Sequence, residues 1–490
     1  MTSDFQIVRS RATEPLFYRV PAPEGMVPKE YQMAGVEYAL AREHCLFGDA
    51  PGLGKTAECI LTGNAIEAKR TLVVCPASLR LNWEREIWAW STSERVTTYP
   101  VLKAKDGVSP DHEFVITSYA LLANLDHLKA LMDLRWDHLI LDEAHALKDP
   151  KGNKRTLAIC GGVSEGVEYE GIASVSGRIT MASGTILPNQ PIECYNAVRL
   201  MDWDAIDRMS LESFRDYYYD AGEGFVRKKV WDQKAQANVF KLVYSDNVRN
   251  VPRRLAELQR RLRSNVMVRR LKEQVLHELP PKQWHPFPIV INADIKRALK
   301  HPGWQQAETL YEMDKHAFDS GIPIDGAVST ARRELGDAKS PFIASYIEEL
   351  IAEGVQKVVV AAWHRSVLDY LREKLAKHGL VYMDGRTTAA NKQKAVDLFQ
   401  EDDHVKIILG QMIPLGMGWT LTEATDVVLA EPDWVPGVND QMLDRIHRMG
   451  QTGSYVIGHV PVVPDTLDER ILSTAIEKDQ NIYQALDAPI

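Results

Sequence analysis

Cysteine is scarce in this chain of 490 residues, with five in all, at 45, 59, 75, 160 and 194. Their number is odd and none forms a Cys-x-x-Cys pair. That excludes a disulfide-stapled scaffold, argues against structural zinc and points to free thiols in a reducing compartment. The fourteen histidines show no ligand spacing with the cysteines. No apolar run approaches the ~18 residues that span a bilayer. The opening Met1-Thr-Ser-Asp-Phe-Gln6 carries no basic-then-apolar leader. Together these imply a protein of the cytosol, or of a eukaryotic nucleus, without a membrane partner. Low-complexity tracts are missing too. So is a net positive charge, the total being −9. An acidic total does not exclude a polyanionic partner, because a local basic stripe suffices to neutralise phosphates.

What is present begins with Leu46-Phe-Gly-Asp-Ala-Pro-Gly-Leu-Gly-Lys-Thr56. Gly52, Gly54, Lys55 and Thr56 have the chemistry of a phosphate cradle. Glycines let backbone N–H groups close on an anion, a lysine reaches the outer phosphates, and a threonine hydroxyl can hold Mg²⁺. The residues after it suit a helix, which would set the anion at a helix N-terminus. The strict pattern is not met, because Asp49 stands where its first glycine belongs.

The spacing Tyr31, Val36, Leu40 predicts a helix leading into that loop. Strand-like runs follow at α/β spacing: Thr71–Cys75, Phe114–Thr117, Leu139–Leu141 and Arg178–Met181, with Ser78–Trp90 helical between them. They predict a parallel sheet. Over 202–340 the strand signal nearly vanishes, and Leu255, Leu258, Leu262 and Val266 recur at helical spacing; Pro280-Pro281 marks a break. The rhythm then returns. Phe342–Ile351 predicts an amphipathic helix with Gly354 as C-cap. Strands are expected at Lys357–Ala361, Val405–Leu409, Asp426–Ala430 and Tyr455–Val460, with no second phosphate loop. The expected fold is α/β, with two parallel-sheet lobes joined by a helical insertion and connector. The expected boundaries are a loosely attached lead-in at 1–27, a first lobe at 28–201, the insertion at 202–340, a second lobe at 341–475 and a tail at 476–490.

Asp142-Glu143-Ala144-His145 directly follows the apolar strand Leu139–Leu141, and ligands bind at such strand ends. A carboxylate there can hold Mg²⁺ with Thr56, and its neighbour can polarise an attacking water. A plain helix N-cap with an acidic first turn is the other reading. In the second lobe, Arg445 and Arg448 fall three apart within Gln441–Gln451, which puts them on one face if helical. Two guanidinium groups suit a phosphate; a solvated helix paired with Asp444 is the alternative. A basic stripe runs through Arg249, Arg253, Arg254, Arg260, Arg261, Arg263, Arg269, Arg270 and Lys272. It is either a phosphate-binding element or a solvated helix face with packed arginine stems. Tyr217-Tyr218-Tyr219 reads as core packing rather than base stacking.

These motifs stand in a fixed order with Ser183-Gly-Thr185 and Gly416-x-Gly418-Trp-Thr-Leu-Thr422. Together they resemble the superfamily-two helicase core, in its Swi/Snf-type double-stranded DNA translocase family, over about 28–475. Val74-Cys-Pro-Ala-Ser-Leu-x-x-Asn-Trp83, Met267–Lys282, Asp384-Gly-Arg-Thr-Thr and Trp434-Val-Pro436 are similar to further signatures of that family, and the compact plan is most similar to its annealing-helicase branch. Ile186, with Pro188 two residues later, Val435 and Lys392 depart from the pattern.

The resemblance implies RecA-like lobes and a DNA-stimulated ATPase that tracks along duplex DNA without sequence specificity, using ATP and Mg²⁺. It implies that Gln32 reads the adenine edge, and that Asp49, Ala50, Pro51, Gly52, Leu53, Gly54, Lys55, Thr56 and Gly418 line the nucleotide. Thr56 and Asp142 would hold Mg²⁺, Glu143 would activate water, Arg445 and Arg448 would be arginine fingers, and His145 would couple the lobes. Ser78, Asn82, Thr117, Ser118, Arg269, Arg270 and Thr387 would meet DNA. A monomer is expected. The rivals are a strand-separating DNA or RNA helicase and a nucleotide-gated DNA-binding scaffold. No chromatin reader, zinc finger or nuclease module is recognisable, so the cytoplasm of a bacterial or virus-infected cell is the expected setting.

Overall fold

The computed structural model describes residues 3–150, 152–164, 167–184, 186–187, 190–232, 237–305, 326–416, 418–433 and 435–488. Thr185, Pro188 and Trp434 of the motifs above lie outside them, and of Arg249 only the backbone is described. The chain divides into two compact units.

The first unit comprises 1–214, 254–279 and 482–490. Its sheet is built from β1 (Cys45–Phe47), β2 (Thr71–Cys75), β3 (Thr98–Pro100), β4 (Phe114–Ser118), β5 (Trp136–Asp142), β6 (Ser176–Ala182) and β7 (Met267–Val268). The order is β7-β1-β6-β5-β2-β4-β3, and every pairing is parallel. Helices on the faces of such a sheet bury its strands on both sides. Leu72, Val73, Val74, Val115, Ile116, Leu139, Ile140 and Leu141 are accordingly fully buried. The helix α1 (Ser3–Arg9) precedes α2 (Glu30–Leu40), α3 (Lys55–Ala65) and α4 (Arg80–Trp90). On α4, Trp83 and Ile87 form the buried stripe against the sheet.

The second unit comprises 215–253 and 280–481. Its sheet consists of β8 (Lys282–Pro288), β9 (Val358–Ala362), β10 (Leu380–Met383), β11 (Ile407–Gln411), β12 (Asp426–Leu429) and β13 (Val456–Val462), ordered β8-β13-β12-β9-β11-β10 and parallel throughout. A helix over Gly326–Ala352 precedes β9, and Gly354 follows it with φ +109°.

Three expectations need correction. Residues 1–27 are not loosely attached. Arg9 ion-pairs with Glu37, and buried Ser10 accepts a backbone bond from Arg269. The span 202–340 is not all helix: Tyr219–Asp232 pairs antiparallel with Ala237–Pro252. The span is also not one piece, since 254–279 belongs to the first unit and supplies β7 to the edge of its sheet. Tyr218 and Tyr219 are buried. Among the described residues no helix is long and apolar enough to cross a membrane, and all five cysteines are free.

Candidate nucleotide site

Parallel strands deliver their following loops to one edge of the sheet. In the first unit β1, β6 and β5 are neighbours. The loops at their C-terminal ends are Gly48–Gly54, Ser183-Gly184 and Asp142-Glu143 respectively. Three chemically distinct segments that lie far apart in the chain therefore converge on one edge.

The first loop turns into α3 through Gly52 (φ +88°) and Gly54 (φ +80°), the latter serving as N-cap. A side chain at Gly54 would be left-handed, and its Cβ would overlap Nε2 of Gln32. Glycine is thus required on two counts. Lys55 Nζ donates to the loop's own carbonyls, Asp49 O at 2.7 Å and Ala50 O at 3.2 Å. The ammonium therefore sits over the turn that leads into α3. Pro51 packs against the second loop, so that a Cβ on Gly184 would come within 2.9 Å of its ring. Leu53 O accepts from Tyr31 Oη at 3.1 Å and Gln32 Nε2 at 3.2 Å.

Gln32 and Asp49 depart from their expected roles. The Gln32 amide is engaged within the protein, Oε1 accepting from Lys29 N and Nε2 donating to Leu53 O, and the residue is buried. It braces the loop rather than presenting an adenine-reading edge. The Asp49 carboxylate is wholly buried and turned away from the cradle onto Arg270.

At the end of β5, Asp142 Oδ2 accepts from Trp83 Nε1 at 2.7 Å, Oδ1 from Glu143 N at 2.9 Å, and its carbonyl from Tyr119 Oη at 2.8 Å. Burial, with the Glu143 charge adding to it, pushes the Asp142 carboxyl up to about 7 against the pull of the Trp83 bond. Glu143 has φ +51°. His145 Nδ1 lies 3.1 Å from Glu143 Oε2 and 3.5 Å from Ser183 Oγ. The histidine expected to couple the lobes thus joins two loops of one unit. Trp83 and Tyr119 have no assigned role in the sequence motifs. Trp83 stands at the end of the Val74–Trp83 stretch, but its i, i+4 spacing with Leu79 and Ile87 signals only a core position.

Each Asp142 carboxylate oxygen accepts one hydrogen bond and keeps a further acceptor position. A carboxylate and the Thr56 hydroxyl are hard oxygen donors of the kind Mg²⁺ takes, usually one or two from protein with phosphates and water completing the shell. The donor set fits that ion.

In the second unit, Arg445 lies in the last turn of the helix Pro436–Ile446, is buried, and donates Nε to Gln441 O at 3.1 Å. Arg448 lies beyond that helix, so the two do not share a helical face. Its Nε donates to Asp444 O at 3.0 Å, and Nη1 reaches Gly418 O and Thr420 Oγ1, each at 3.4 Å. Gly418 has φ +62°. The Asp444 carboxylate pairs with Lys282 at 3.1 Å.

Of the expected DNA contacts, Asn82 is exposed, and Ser78 and Thr387 are partly so. Thr387 bonds Asp384 through its amide and hydroxyl. Burial tends to raise the Asp384 carboxyl, but Arg386 and Thr387 outweigh it and hold it down at about 2. Thr117 and Ser118 are corrected. Both are buried, Thr117 against His127 at 2.9 Å and Ser118 as a helix cap on Leu121 N. Arg269 and Arg270 are also corrected. Arg270 is wholly buried between Asp49 and Glu58, and Arg269 is buried on Asp487, so neither presents charge to a polyanion. Within the stripe, Arg263 and Lys272 are likewise buried, whereas Arg254 and Arg260 are exposed.

Residues 31–161 match the family described as SNF2-related domain, and 343–450 match the helicase conserved C-terminal domain. The chain is 29% identical over 490 residues to the SWI/SNF-related matrix-associated actin-dependent regulator of chromatin subfamily A-like protein 1 of Xenopus tropicalis, covering 98% of this chain and 47% of that one. It is 26% identical over 450 residues to the human DNA annealing helicase and endonuclease ZRANB3, covering 89% and 38%. The chain thus spans about half or less of the length of these relatives. A solved structure, the Sulfolobus solfataricus SWI2/SNF2 ATPase core in complex with dsDNA, is similar at 18% identity and a TM-score of 0.40, covering 96% of this chain and 100% of that one. The expected setting in a bacterial or virus-infected cytoplasm is corrected by these relatives. They are animal proteins, the first named as a regulator of chromatin. The matching segment is less than half of each of those proteins, so its compactness carried no information about source.

Proposed function

We propose that this chain, of the Swi/Snf type by its SNF2-related and helicase C-terminal domains, is an ATP-driven motor that tracks along duplex DNA. One observation carries the reading. A glycine-bounded loop with Lys55 folded over it, a carboxylate pair and a serine-glycine turn lie at the ends of three neighbouring parallel strands. That edge suits a triphosphate.

In this reading the loop amides and Lys55 bind the β- and γ-phosphates, with Gly418 also near the nucleotide. Thr56 and Asp142 hold Mg²⁺, which neutralises phosphate charge when bound. Glu143, kept beside His145, orients and polarises the attacking water. Arg445 and Arg448 act as arginine fingers on the transferring phosphoryl group, their always-charged forks suiting its oxygens. Ser78, Asn82 and Thr387 track the DNA backbone, which makes binding insensitive to sequence.

The test is steady-state ATP hydrolysis with duplex DNA, single-stranded DNA and RNA in parallel. Duplex should stimulate most, regardless of its sequence. Preferential stimulation by single strands or RNA would favour a strand-separating enzyme, and slow turnover with all three would favour a nucleotide-gated scaffold.

A further inference from the structure

We propose that Arg269 and Arg270 are positioning residues for the nucleotide, holding the phosphate loop from behind. This rests on reading that loop as an ATP site.

The strand β7 runs parallel to β1 in the register Leu46↔Met267, Phe47↔Val268. Pairing then continues into the loop itself. Gly48 N donates to Val268 O at 2.8 Å, Ala50 N to Arg270 O at 3.0 Å, and Arg270 N to Asp49 Oδ1 at 2.9 Å. The approach is close, since a Cβ on Gly48 would meet Met267 Cγ and Sδ at 3.1 Å. The loop's path therefore follows the backbone of 266–270.

Arg270 spends its guanidinium on the three segments that build the cradle. Nε donates to Asp49 Oδ1 at 3.0 Å, Nη2 to Asp49 Oδ2 and to Glu58 Oε1 of α3, and Nη1 to the Tyr31 carbonyl of α2. There is no slack around it. A Cβ on Gly35 of α2 would stand 2.5 Å from Glu58 Oε1 and 2.7 Å from Arg270 Nη2. The arrangement also answers the departure at position 49. A carboxylate where a phosphate loop ordinarily has glycine would repel a triphosphate. Here Arg270 draws it inward and neutralises it. Burial, reinforced by the Asp49 charge, raises the Glu58 carboxyl well above its ordinary range.

Arg269 performs a second fixation. Its Nη1 donates to Gly48 O at 2.6 Å and to Gly184 O at 3.1 Å, joining the first two loops of the site. Its other edge grips Asp487 in a fork, Nε to Oδ1 at 2.7 Å and Nη2 to Oδ2 at 2.8 Å. One planar group thus sets the spacing of two loops that meet the nucleotide, a task a lysine cannot reproduce.

The experiment uses the full chain and measures affinity for a fluorescent ATP analogue, affinity for a duplex oligonucleotide across a salt series, and thermal melting. Arg270→Gln and Arg269→Lys should each weaken the nucleotide by about tenfold to a hundredfold, the usual effect of disturbing outer-shell support. Duplex affinity and its salt slope should stay at the wild-type values. Adding Asp49→Asn to Arg270→Gln should restore much of the nucleotide affinity, because it removes the uncompensated carboxylate beside the phosphates. A merely structural role would make affinity recover only in step with the melting temperature, whereas affinity should here recover beyond what melting accounts for. If Arg270→Gln fails to fold, the test rests on Arg269→Lys, which keeps the charge. The proposal is overturned if a folded variant binds nucleotide as the wild type does. It is overturned equally if duplex affinity falls instead, with a slope flatter by about 0.9 for each phosphate no longer neutralised. Lys55→Ala separates this from the reading beneath it. If that variant binds the analogue as tightly as wild type, the loop is not the nucleotide site at all.

Discussion

Replacing Trp83 by phenylalanine removes one hydrogen-bond donor from the site while keeping an aromatic ring in the core. The indole N–H is 2.7 Å from Asp142 Oδ2, and the residue is 1% exposed. Losing a bond to a buried carboxylate costs about 1.5–3 kcal/mol, and the lost ring volume adds a cavity term, so the total should be roughly 2–4 kcal/mol. Stability alone would not distinguish a core residue from a supporting one. The discriminating quantity is the Mg²⁺ concentration that half-saturates ATP hydrolysis with duplex present. If Trp83 aims Asp142 at the metal, that concentration should rise about tenfold to a hundredfold, and excess Mg²⁺ should recover part of the turnover. Urea denaturation and a Mg²⁺ titration on the same preparation supply both numbers. A variant that loses stability yet keeps the wild-type Mg²⁺ requirement would refute the reasoning and return Trp83 to the core.

Two further outcomes follow from the geometry. Gly54→Ala places a side chain at φ +80° against Gln32; strain of about 1–2 kcal/mol should appear in thermal melting, and analogue binding should fall with it. Asp384→Asn tests the second unit by pH. The Asp384 carboxyl is held below its ordinary value, at about 2, so its contribution is present above the unfolded value and lost as pH falls toward 2. The substitution should cost about 1–2 kcal/mol at neutral pH, a figure reduced for solvent screening. The wild-type advantage should shrink between pH 4 and about 2 by denaturant titration at several pH values; a pH-independent difference would deny the carboxylate that role.

Much of the fold is legible because parallel strands buried on both faces advertise themselves as short apolar runs. Thr71–Cys75 and Asp426–Leu429 emerge almost residue for residue, and the Asp142-Glu143 pair stands at the end of its strand. What stays hidden are partnerships that sequence spacing does not encode. Arg269 and Arg270 sit beside a run that looks like a solvated basic helix, yet their acids are Asp49, Glu58 and Asp487, some 221, 212 and 218 residues away. The two-residue strand Met267–Val268 is too short to show any period, and its pairing with β1 depends on the chain returning after an excursion through the other unit. Gln32 illustrates the same limit. Its amide does serve as both donor and acceptor, as its chemistry suggests, but the groups that take those bonds are Leu53 and Lys29. Composition misleads as well over Tyr219–Asp232 and Ala237–Pro252, two antiparallel strands that the helical reading omits.

The most direct measurement is single-turnover hydrolysis of prebound ATP on duplex DNA, comparing wild type with Arg448→Ala. An arginine finger contributes about 10³–10⁵ in rate, so the variant should hold ATP with near wild-type affinity and scarcely hydrolyse it. A variant that hydrolyses prebound ATP at the wild-type rate would contradict the assignment of this side chain to the reaction, and with it the account of the chain as an arginine-assisted motor.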